Sequence, residues 1–318
     1  MRQTAPLRVG PLPFQQSPMP TRIACVRYLN TAVLIEGLAQ LPEIALVPTV
    51  PSRIADMVRS GEADIGLVSL IDAAGAAPSD PDLTLLPVGM IGCDGPTLTV
   101  RIYASVPLDR ITRLHADTDS HTSVALARLL LKARFGRDVE IVHFDAREQM
   151  PVWLTSGPPS SSDGHEDGRW PEAMLLIGDK VVTDSPPAIR YPHQMDLGEA
   201  WKDLTGDPFV YAMWACRAGE EDSPAVRHGA AMLDRQLRHN LTRIDWIITR
   251  RAGEHRWPLD LARQYLGRLL RFTVTPRERA AAERFITLAH HHGIITSPAP
   301  RLRWSTPAES PVAGAGTP

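Results

Sequence analysis

Short apolar runs alternate with amphipathic stretches along the first third of the chain. Residues 22–26 (RIACV) and 44–50 (IALVPTV) have the length and the β-branched content of buried strands. Residues 31–41 (TAVLIEGLAQL) and 51–62 (PSRIADMVRSGE) have helical spacing, and Gly61 favours a helix end. Because strands and helices follow one another in turn, the pattern predicts an α/β fold with a mostly parallel sheet. Three further apolar runs are predicted strands: 63–71, 83–93 and 98–106.

A second α/β unit is predicted to begin near Pro107. Residues 120–136 form the best helical pattern in the chain, and Gly136 predicts where this helix ends. The β-like run 209–217 (FVYAMWACR) is expected to lead back to the first unit, before a helical remainder from about 224 to 292. The chain would therefore cross twice between two lobes. This arrangement predicts a ligand cleft between the lobes, which can close around a ligand by a hinge movement.

These patterns divide the chain into two lobes and two tails. A stretch rich in Ser, Gly, Pro and Asp predicts a flexible loop near 155–170. The two ends of the chain lack an apolar pattern, and we expect both to be disordered. The predicted parts are lobe I (21–104 and 209–296), lobe II (105–208), a leader (1–20) and a tail (297–318).

Composition and charge disfavour proteins that bind nucleic acid or membranes and proteins held together by disulfides. The 318 residues carry a formal net charge of -2, which offers no electrostatic reason to expect nucleic acid or a membrane surface as a partner. The 3 cysteines are scattered without a Cys-x-x-Cys pair, which fits a reducing compartment and disfavours a disulfide framework or a zinc site. No stretch resembles a secretory signal or a membrane span, so we expect a cytoplasmic protein.

Polar side chains stand where two predicted strands end and helices begin. Asn30 either caps the helix that follows or, if Thr31 caps it, presents its amide to the crevice at the carboxyl end of the strand. Ser120, Thr122 and Ser123 crowd the start of the long helix, where one capping residue would suffice. Several hydroxyls and free N–H groups together suit a bound carboxylate or phosphate, so this helix start is the strongest local indication of an anion site.

Two further turns follow apolar strands. The turn at Gly95 can present N–H groups to an anion, but the sequence favours a structural role, in which Asp94 caps the turn and Cys93 is packed. Gly178 and Asp179 follow another strand, and the carboxylate either faces the crevice or caps a helix. No Walker loop, Rossmann glycine fingerprint, nucleophile elbow or metal-ligand spacing is present, so we expect neither a cofactor nor a metal.

Seven segments occur together in the order seen in one family. They are YLNT (28–31), VPSRIADMVRSGEADIGLVSL (50–70), GCDGP (92–96), DTDSHTSVALARLLL (117–131), LLIGD (175–179), DLGEAWKDLTGDPFVYAMWACR (196–217) and RFTVTPRERAAAERFITLAHHHGII (271–295). In these segments the chain resembles the MqnA family, the chorismate dehydratases of the futalosine route to menaquinone. The likeness spans about residues 21–296 and implies the two-lobed fold of type II periplasmic binding proteins, with a ligand cleft between the lobes.

The resemblance also implies which residues meet the substrate. The family's Tyr-Leu-Asn motif ends at Asn30, which makes Asn30 the first catalytic candidate. Its Ser-Asp-Gly-Pro turn begins at Cys93, the second catalytic candidate. The implied substrate-binding residues are Arg27, Tyr28, Asp94, Gly95, Ser120, His121, Thr122, Ser123, Gly178 and Asp179.

Three positions depart from the family's usual residues. Members usually have Ser where this chain has Arg27 and Cys93, and Arg where it has His121. Because Arg offers a planar fork to a carboxylate, its loss would weaken the binding of a dianion, and we hypothesise that Arg27 replaces the charge from the opposite lobe. If so, restoring Arg at 121 while removing it at 27 preserves turnover. The departures also leave open a paralogue with another substrate.

The implied reaction removes water from chorismate to give 3-[(1-carboxyvinyl)oxy]benzoate. Aromatisation of the ring drives it, so the resemblance implies no metal, nucleotide or redox cofactor. No strong general base stands out among the candidates, and a substrate carboxylate can remove the ring proton while the protein positions it. A cytoplasmic solute-binding or sensor protein of the same fold is the alternative.

Overall fold

The computed structural model describes residues 19–74, 83–117, 119–146 and 171–305, and their strands form two sheets. The loop predicted near 155–170 lies outside this part of the chain. The strands are β1 Thr21–Cys25, β2 Ile44–Pro48, β3 Ile65–Ser69, β4 Leu83–Cys93, β5 Val100–Ala104, β6 Arg113–Ala116, β7 Glu140–His143, β8 Ala173–Ile177, β9 His193–Asp196, β10 Phe209–Arg217, β11 Leu270–Arg271 and β12 Arg303–Trp304. The helices are α1 Ala32–Ile35, α2 Pro51–Ser60, α3 His121–Phe135, α4 Lys180–Thr183, α5 Leu197–Thr205, α6 Pro224–Thr242, α7 Ile244–Arg251, α8 Leu259–Gln264 and α9 Pro276–His291.

Both sheets are mixed rather than mostly parallel. The first has the order β11-β4-β10-β3-β1-β2, with β12 beside β4, and the second has the order β7-β6-β8-β5-β9. Strand β1 is parallel to β2 and β3, as the βαβ pattern predicts, but β10 is antiparallel to both β3 and β4. The reason is that β10 returns from the second sheet instead of following a crossover helix within the first.

The sheets correct two of the predicted boundaries. Residues 100–104 were assigned to lobe I, but β5 pairs with β8 and β9 in the second sheet, so the chain changes sheets between Cys93 and Val100. Residues 297–305 were assigned to a disordered tail, but β12 pairs with β4, and the Trp304 indole donates a hydrogen bond to Glu283. Isolated Trp and Leu positions in a proline-rich stretch did not predict this docking.

Two predictions about helices were wrong, one about where a helix ends and one about which residue caps a helix. The helix predicted for residues 31–41 stops at Ile35 because Gly37 has φ of 91°, and a side chain there would meet Gln236 at 2.8 Å. Ser52, which the sequence predicts as the cap of the helix at 51–62, does not cap α2; this helix begins at Pro51, with Val50 as its cap. The glycine helix ends are confirmed: Gly61 and Gly136 both adopt left-handed backbone angles.

The parallel strands bring their carboxyl ends to the space between the sheets. Strands β1 and β3 end there from the first sheet, and β6 and β8 from the second. One contiguous apolar core, which includes Ile23 and Ile102, continues from one sheet to the other. Among the described residues, no helix has both the length and the apolar character needed to cross a bilayer.

Candidate active site

A cleft lies between the two sheets, with about 580 Å³ of atom-free space including its opening to solvent. Its apolar walls are formed by residues such as Val26, Leu67, Ile91 and Ile177. The polar side chains that line it carry only hydroxyl or amide groups: Tyr28, Asn30, Ser69, Thr97, Thr99, Ser120, Ser123, Tyr211 and Tyr265.

Asn30 lines the cleft and caps no helix. It lies inside a single 3-10 turn, Leu29–Thr31, and neither Asn30 nor Thr31 makes a side-chain capping bond. The Thr31 hydroxyl donates to the Asn30 carbonyl oxygen at 3.1 Å. This bond, with a second one to Tyr265, restricts the orientation of the amide at the cleft. The capping interpretation of Asn30 was therefore wrong, and the crevice interpretation fits.

The start of α3 reaches the cleft from the second sheet. Ser120 is the helix cap: its oxygen accepts a hydrogen bond from the Ser123 N–H, and the two hydroxyl oxygens lie 2.9 Å apart. Both side chains line the cleft. The positive end of the helix and two hydroxyls thus face the same space as Asn30. Thr122, predicted with them, instead accepts the Ile71 N–H at 3.1 Å and joins the two lobes outside the cleft lining.

Two buried hydroxyl pairs complete the polar lining. The Thr97 and Tyr211 oxygens are 2.6 Å apart, and the Thr99 and Tyr265 oxygens are 2.7 Å apart. Burial raises the pKa of both tyrosines well above its usual value, and for Tyr265 hydrogen bonds with Thr99 and Asn30 only partly oppose the rise. Both tyrosines therefore remain protonated near neutral pH and can donate hydrogen bonds but cannot act as bases.

Sequence reasoning missed these four hydroxyl residues. Thr97 and Thr99 follow the turn at Gly95 and Pro96, and their alternation with Leu98 and Val100 was an available signal. Tyr211 lies on the return strand β10, and Tyr265 begins a π-helical turn, Tyr265–Leu269. No local pattern indicates that residues so far along the chain reach the cleft, because only the tertiary fold brings them there.

Gly178 lines the cleft, whereas the Asp179 side chain lies outside the lining and forms hydrogen bonds that join the two lobes. Gly178 has φ of 66°, and a side chain there would contact the Tyr28 ring at 3.4 Å. Asp179 stands at the N-cap position of α4, but its side chain makes no capping bond; it accepts hydrogen bonds from the Leu29 N–H, the Trp257 indole at 3.1 Å and His255 at 2.9 Å. Both sequence interpretations of Asp179, a crevice carboxylate and a helix cap, were wrong.

The turn at residues 93–95 also lies outside the cleft lining. Cys93 is fully buried, its sulfur is 3.1 Å from the Thr97 hydroxyl, and burial raises its thiol pKa to about 11. It therefore supports Thr97 rather than contacting substrate. Asp94 is paired with Arg277 and Lys202, each at 2.6 Å, and its Arg277 partner holds the carboxyl pKa below its usual range. Gly95 has φ of 128° and is buried beside this pair.

Arg27 and His121 are both exposed and absent from the cleft lining. The hypothesis that Arg27 replaces a missing charge in the cleft is therefore not supported by its position. His121 forms a pair with Asp72 across the two lobes, with its Nδ1 2.9 Å from the carboxylate. Tyr28, by contrast, both lines the cleft and donates from its hydroxyl to Asp119 at 3.3 Å.

A model of a family described as menaquinone biosynthesis matches residues 21–291. The chain belongs to this menaquinone biosynthesis family. A relative in curated collections, chorismate dehydratase of Thermus thermophilus, is 28% identical over 243 residues, which cover 72% of this chain and 82% of that one. The predicted membership is thus confirmed, and Asn30 and the α3 start both lie within the matched region.

Solved structures of low sequence identity share the fold of this menaquinone biosynthesis protein. A protein of Archaeoglobus fulgidus has a TM-score of 0.61 at 15% identity, covering 86% of this chain and 98% of that one. The periplasmic aliphatic sulphonate binding protein SsuA of Escherichia coli has a TM-score of 0.56 at 17% identity, covering 88% and 94%. The two-lobed fold of periplasmic binding proteins is therefore confirmed.

The His121–Asp72 pair, which joins the two lobes, predicts a pH-dependent contribution to the stability of the fold. The hydrogen bond with Asp72 raises the pKa of His121, and Asp56 and Arg59 also face it with opposite effects. A raised folded-state pKa means that the pair stabilises the fold below the ordinary histidine pKa and is lost as pH rises through the raised value. Because nearly half of the imidazole is exposed, we expect at most about 1 kcal/mol.

The measurement is the free energy of unfolding at about pH 6 and at about pH 8.5. His121→Gln keeps a polar side chain of similar reach but cannot titrate. The difference between the two proteins therefore removes the pH-dependent contribution of the other histidines. The wild type should lose more stability than the variant as pH rises. Equal losses in both proteins would show that the pair contributes nothing.

Proposed function

We propose that this protein is a chorismate dehydratase, which converts chorismate to 3-[(1-carboxyvinyl)oxy]benzoate and water. The observation that carries the proposal is the cleft chemistry. Its polar lining, within the described residues, consists of hydroxyls and one amide, with no charged side chain among them. Such a lining suits a reaction that needs placement rather than strong acid or base groups. The similarity to a protein named chorismate dehydratase supplies the substrate.

The substrate is a dianion whose charges need donors. In the proposed complex, the positive end of α3 with Ser120 and Ser123 holds one carboxylate, since hydroxyls and helix N–H groups together bind such anions. The protonated Tyr211 and Tyr265 hydroxyls donate to other substrate oxygens. The apolar walls enclose the ring and exclude water, which strengthens each of these hydrogen bonds.

The elimination removes a proton from the ring carbon that bears the ether and hydroxide from its neighbour. The base that takes up the proton passes it to the departing hydroxide, so that one water is released, the base is regenerated and the ring becomes aromatic. Among the described lining residues none is a carboxylate or an imidazole, so we assign proton removal to the substrate's own side-chain carboxylate. The role of Asn30 is then to donate to the charge that develops as the proton leaves, where a fixed donor has its largest effect.

The test is to incubate purified protein with chorismate and to follow the product by mass spectrometry. The proposal predicts a product lighter than chorismate by one water, formed in proportion to enzyme and without added metal or nucleotide. A parallel calorimetric titration measures binding. Binding without turnover would favour a solute-binding or sensor protein of the same fold, and the absence of both would indicate a family member with another substrate.

A further inference from the structure

The turn that carries Thr97 into the cleft is held by one buried carboxylate. Asp196 ends β9 and caps α5, and it is 4% exposed. One of its oxygens accepts the Thr97 N–H at 2.9 Å, and the other accepts the Leu98 N–H at 2.6 Å. The same carboxylate accepts two N–H groups in the first turn of α5, those of Gly198 and Glu199. It therefore joins the start of a helix to the edge of the cleft.

This turn is strained and tightly packed. Leu98 has φ of 73°, a left-handed angle that costs a residue with a β-carbon free energy. The strain persists only if the surroundings enforce it. Gly198 provides a second sign of this enforcement, because a side chain there would lie 2.1 Å from the Thr97 hydroxyl and 2.5 Å from the Gly95 carbonyl. The backbone of α5 at Gly198 therefore packs directly against this turn, and no room remains for a side chain.

The consequence is a fixed direction for the Thr97 hydroxyl. It lies 2.6 Å from the Tyr211 hydroxyl, and both side chains line the cleft. We propose that Asp196 is a positioning residue that holds the Thr97–Leu98 peptide in its strained turn, so that the Thr97–Tyr211 pair is aimed at the substrate. This inference rests on the proposed function for its substrate, but its structural part can be tested without one.

The test uses Asp196→Asn. Asparagine caps helices as well as aspartate does, so one oxygen can still accept from α5 and Thr97. The second oxygen becomes an NH₂ group that faces the Leu98 N–H and cannot accept from it. We expect kcat for chorismate to fall about tenfold to a hundredfold with KM within about threefold, since the turn loses a charge-assisted bond but the carboxylate-binding end of α3 is untouched.

Arg101→Gln is the matched control. It removes the guanidinium that meets the same carboxylate at 3.4 Å from a partly exposed position, and it leaves every backbone bond in place. We expect kcat and KM to stay within about twofold of wild type. A loss as large as that of Asp196→Asn would assign the effect to the ion pair and overturn the proposal.

A second substitution at Leu98 distinguishes a positioning role of Asp196 from helix capping alone. Leu98→Gly adopts the left-handed angle without strain, so the turn needs less enforcement. In this background Asp196→Asn should cost severalfold less kcat than it costs in the wild type. Additive losses would mean that Asp196 acts only as a cap.

Hydrogen exchange separates this proposal from the proposed function. Without substrate, Asp196→Asn should speed exchange in a peptide covering Thr97 and Leu98 by at least about tenfold, while α5 peptides change little. Unchanged exchange at the turn overturns the proposal whatever the substrate. If the wild type fails to convert chorismate while the exchange result holds, the proposed function fails and the role of Asp196 in holding the turn stands.

Discussion

Asn30→Ala is expected to lower kcat for chorismate about 100- to 1,000-fold, the usual cost of removing one donor aimed at developing charge. Binding should change less than about fivefold, because the ground-state carboxylates are held from the other wall by Ser120 and Ser123. The fold should change little, since the Asn30 side chain is half-buried and the substitution removes only its bonds with the neighbouring Thr31 and with Tyr265. The measurements are single-turnover rates, calorimetric binding and thermal unfolding.

Asp94→Asn provides the matched control for this variant. Asp94 belongs to the same set of sequence-derived candidates, but it pairs with Arg277 and Lys202 outside the cleft lining. This substitution should lower thermal stability by a few degrees and leave kcat and KM within about twofold of wild type. Normal turnover by Asn30→Ala, or a larger catalytic loss in Asp94→Asn, would place the chemistry elsewhere.

Asp179→Ala is expected to destabilise the protein by about 2–3 kcal/mol. The carboxylate accepts hydrogen bonds from Leu29, His255 and Trp257, and its removal leaves these donors without their acceptor. Because Asp179 adjoins Gly178 and holds the turn that carries Asn30, we also expect KM for chorismate to rise about tenfold. Chemical denaturation measures the first effect, and steady-state kinetics measures the second.

Asp184→Asn tests whether any carboxylate in this segment would have the same effect. Asp184 approaches Arg256 at 3.8 Å, so it joins the same two segments, but that arginine is largely exposed. We expect less than about 0.5 kcal/mol of destabilisation and an unchanged KM. If the two variants behave alike, the Asp179 bonds do not hold the lobes together.

The fold and one wall of the cleft could be predicted from sequence because their signals are local. The apolar periodicity of residues 120–136 and the glycine ends at Gly61 and Gly136 depend only on nearby residues, and the structure confirms them. Ser120 was predicted to open α3 beside an anion site, and it does cap the helix and line the cleft. Parallel strands bring their carboxyl ends together, which explains why Asn30 could be placed there.

The other wall could not be predicted because its residues come from distant parts of the chain. Tyr211 and Tyr265 reach the cleft only because β10 returns to the first sheet and a π-helical turn packs behind it. A local pattern also cannot say which way a turn's side chains point. Cys93 and Asp94 follow the correct strand, yet the tight approach of α5 directs one into the core and the other to Arg277.

Asp179 illustrates a third limit. A carboxylate after a buried strand indicates that donors are near, but not which donors. Here they are the backbone amide of Leu29 and, from one distant segment, the imidazole of His255 and the indole of Trp257, and together they join the two lobes through Asp179. The exposed position of Arg27 does not support its proposed role for a related reason, since charge alone does not decide whether a side chain faces a cleft or solvent.

The central claim is that chorismate is held in the cleft between Asn30 and the start of α3. The most direct test is a crystal structure of Asn30→Ala, which should bind chorismate but turn it over slowly, after soaking with a saturating concentration of substrate. The account predicts density for chorismate in the cleft, with a carboxylate oxygen within hydrogen-bonding distance of Ser120 or Ser123. Chorismate bound at another surface, or a cleft that stays empty, would contradict it.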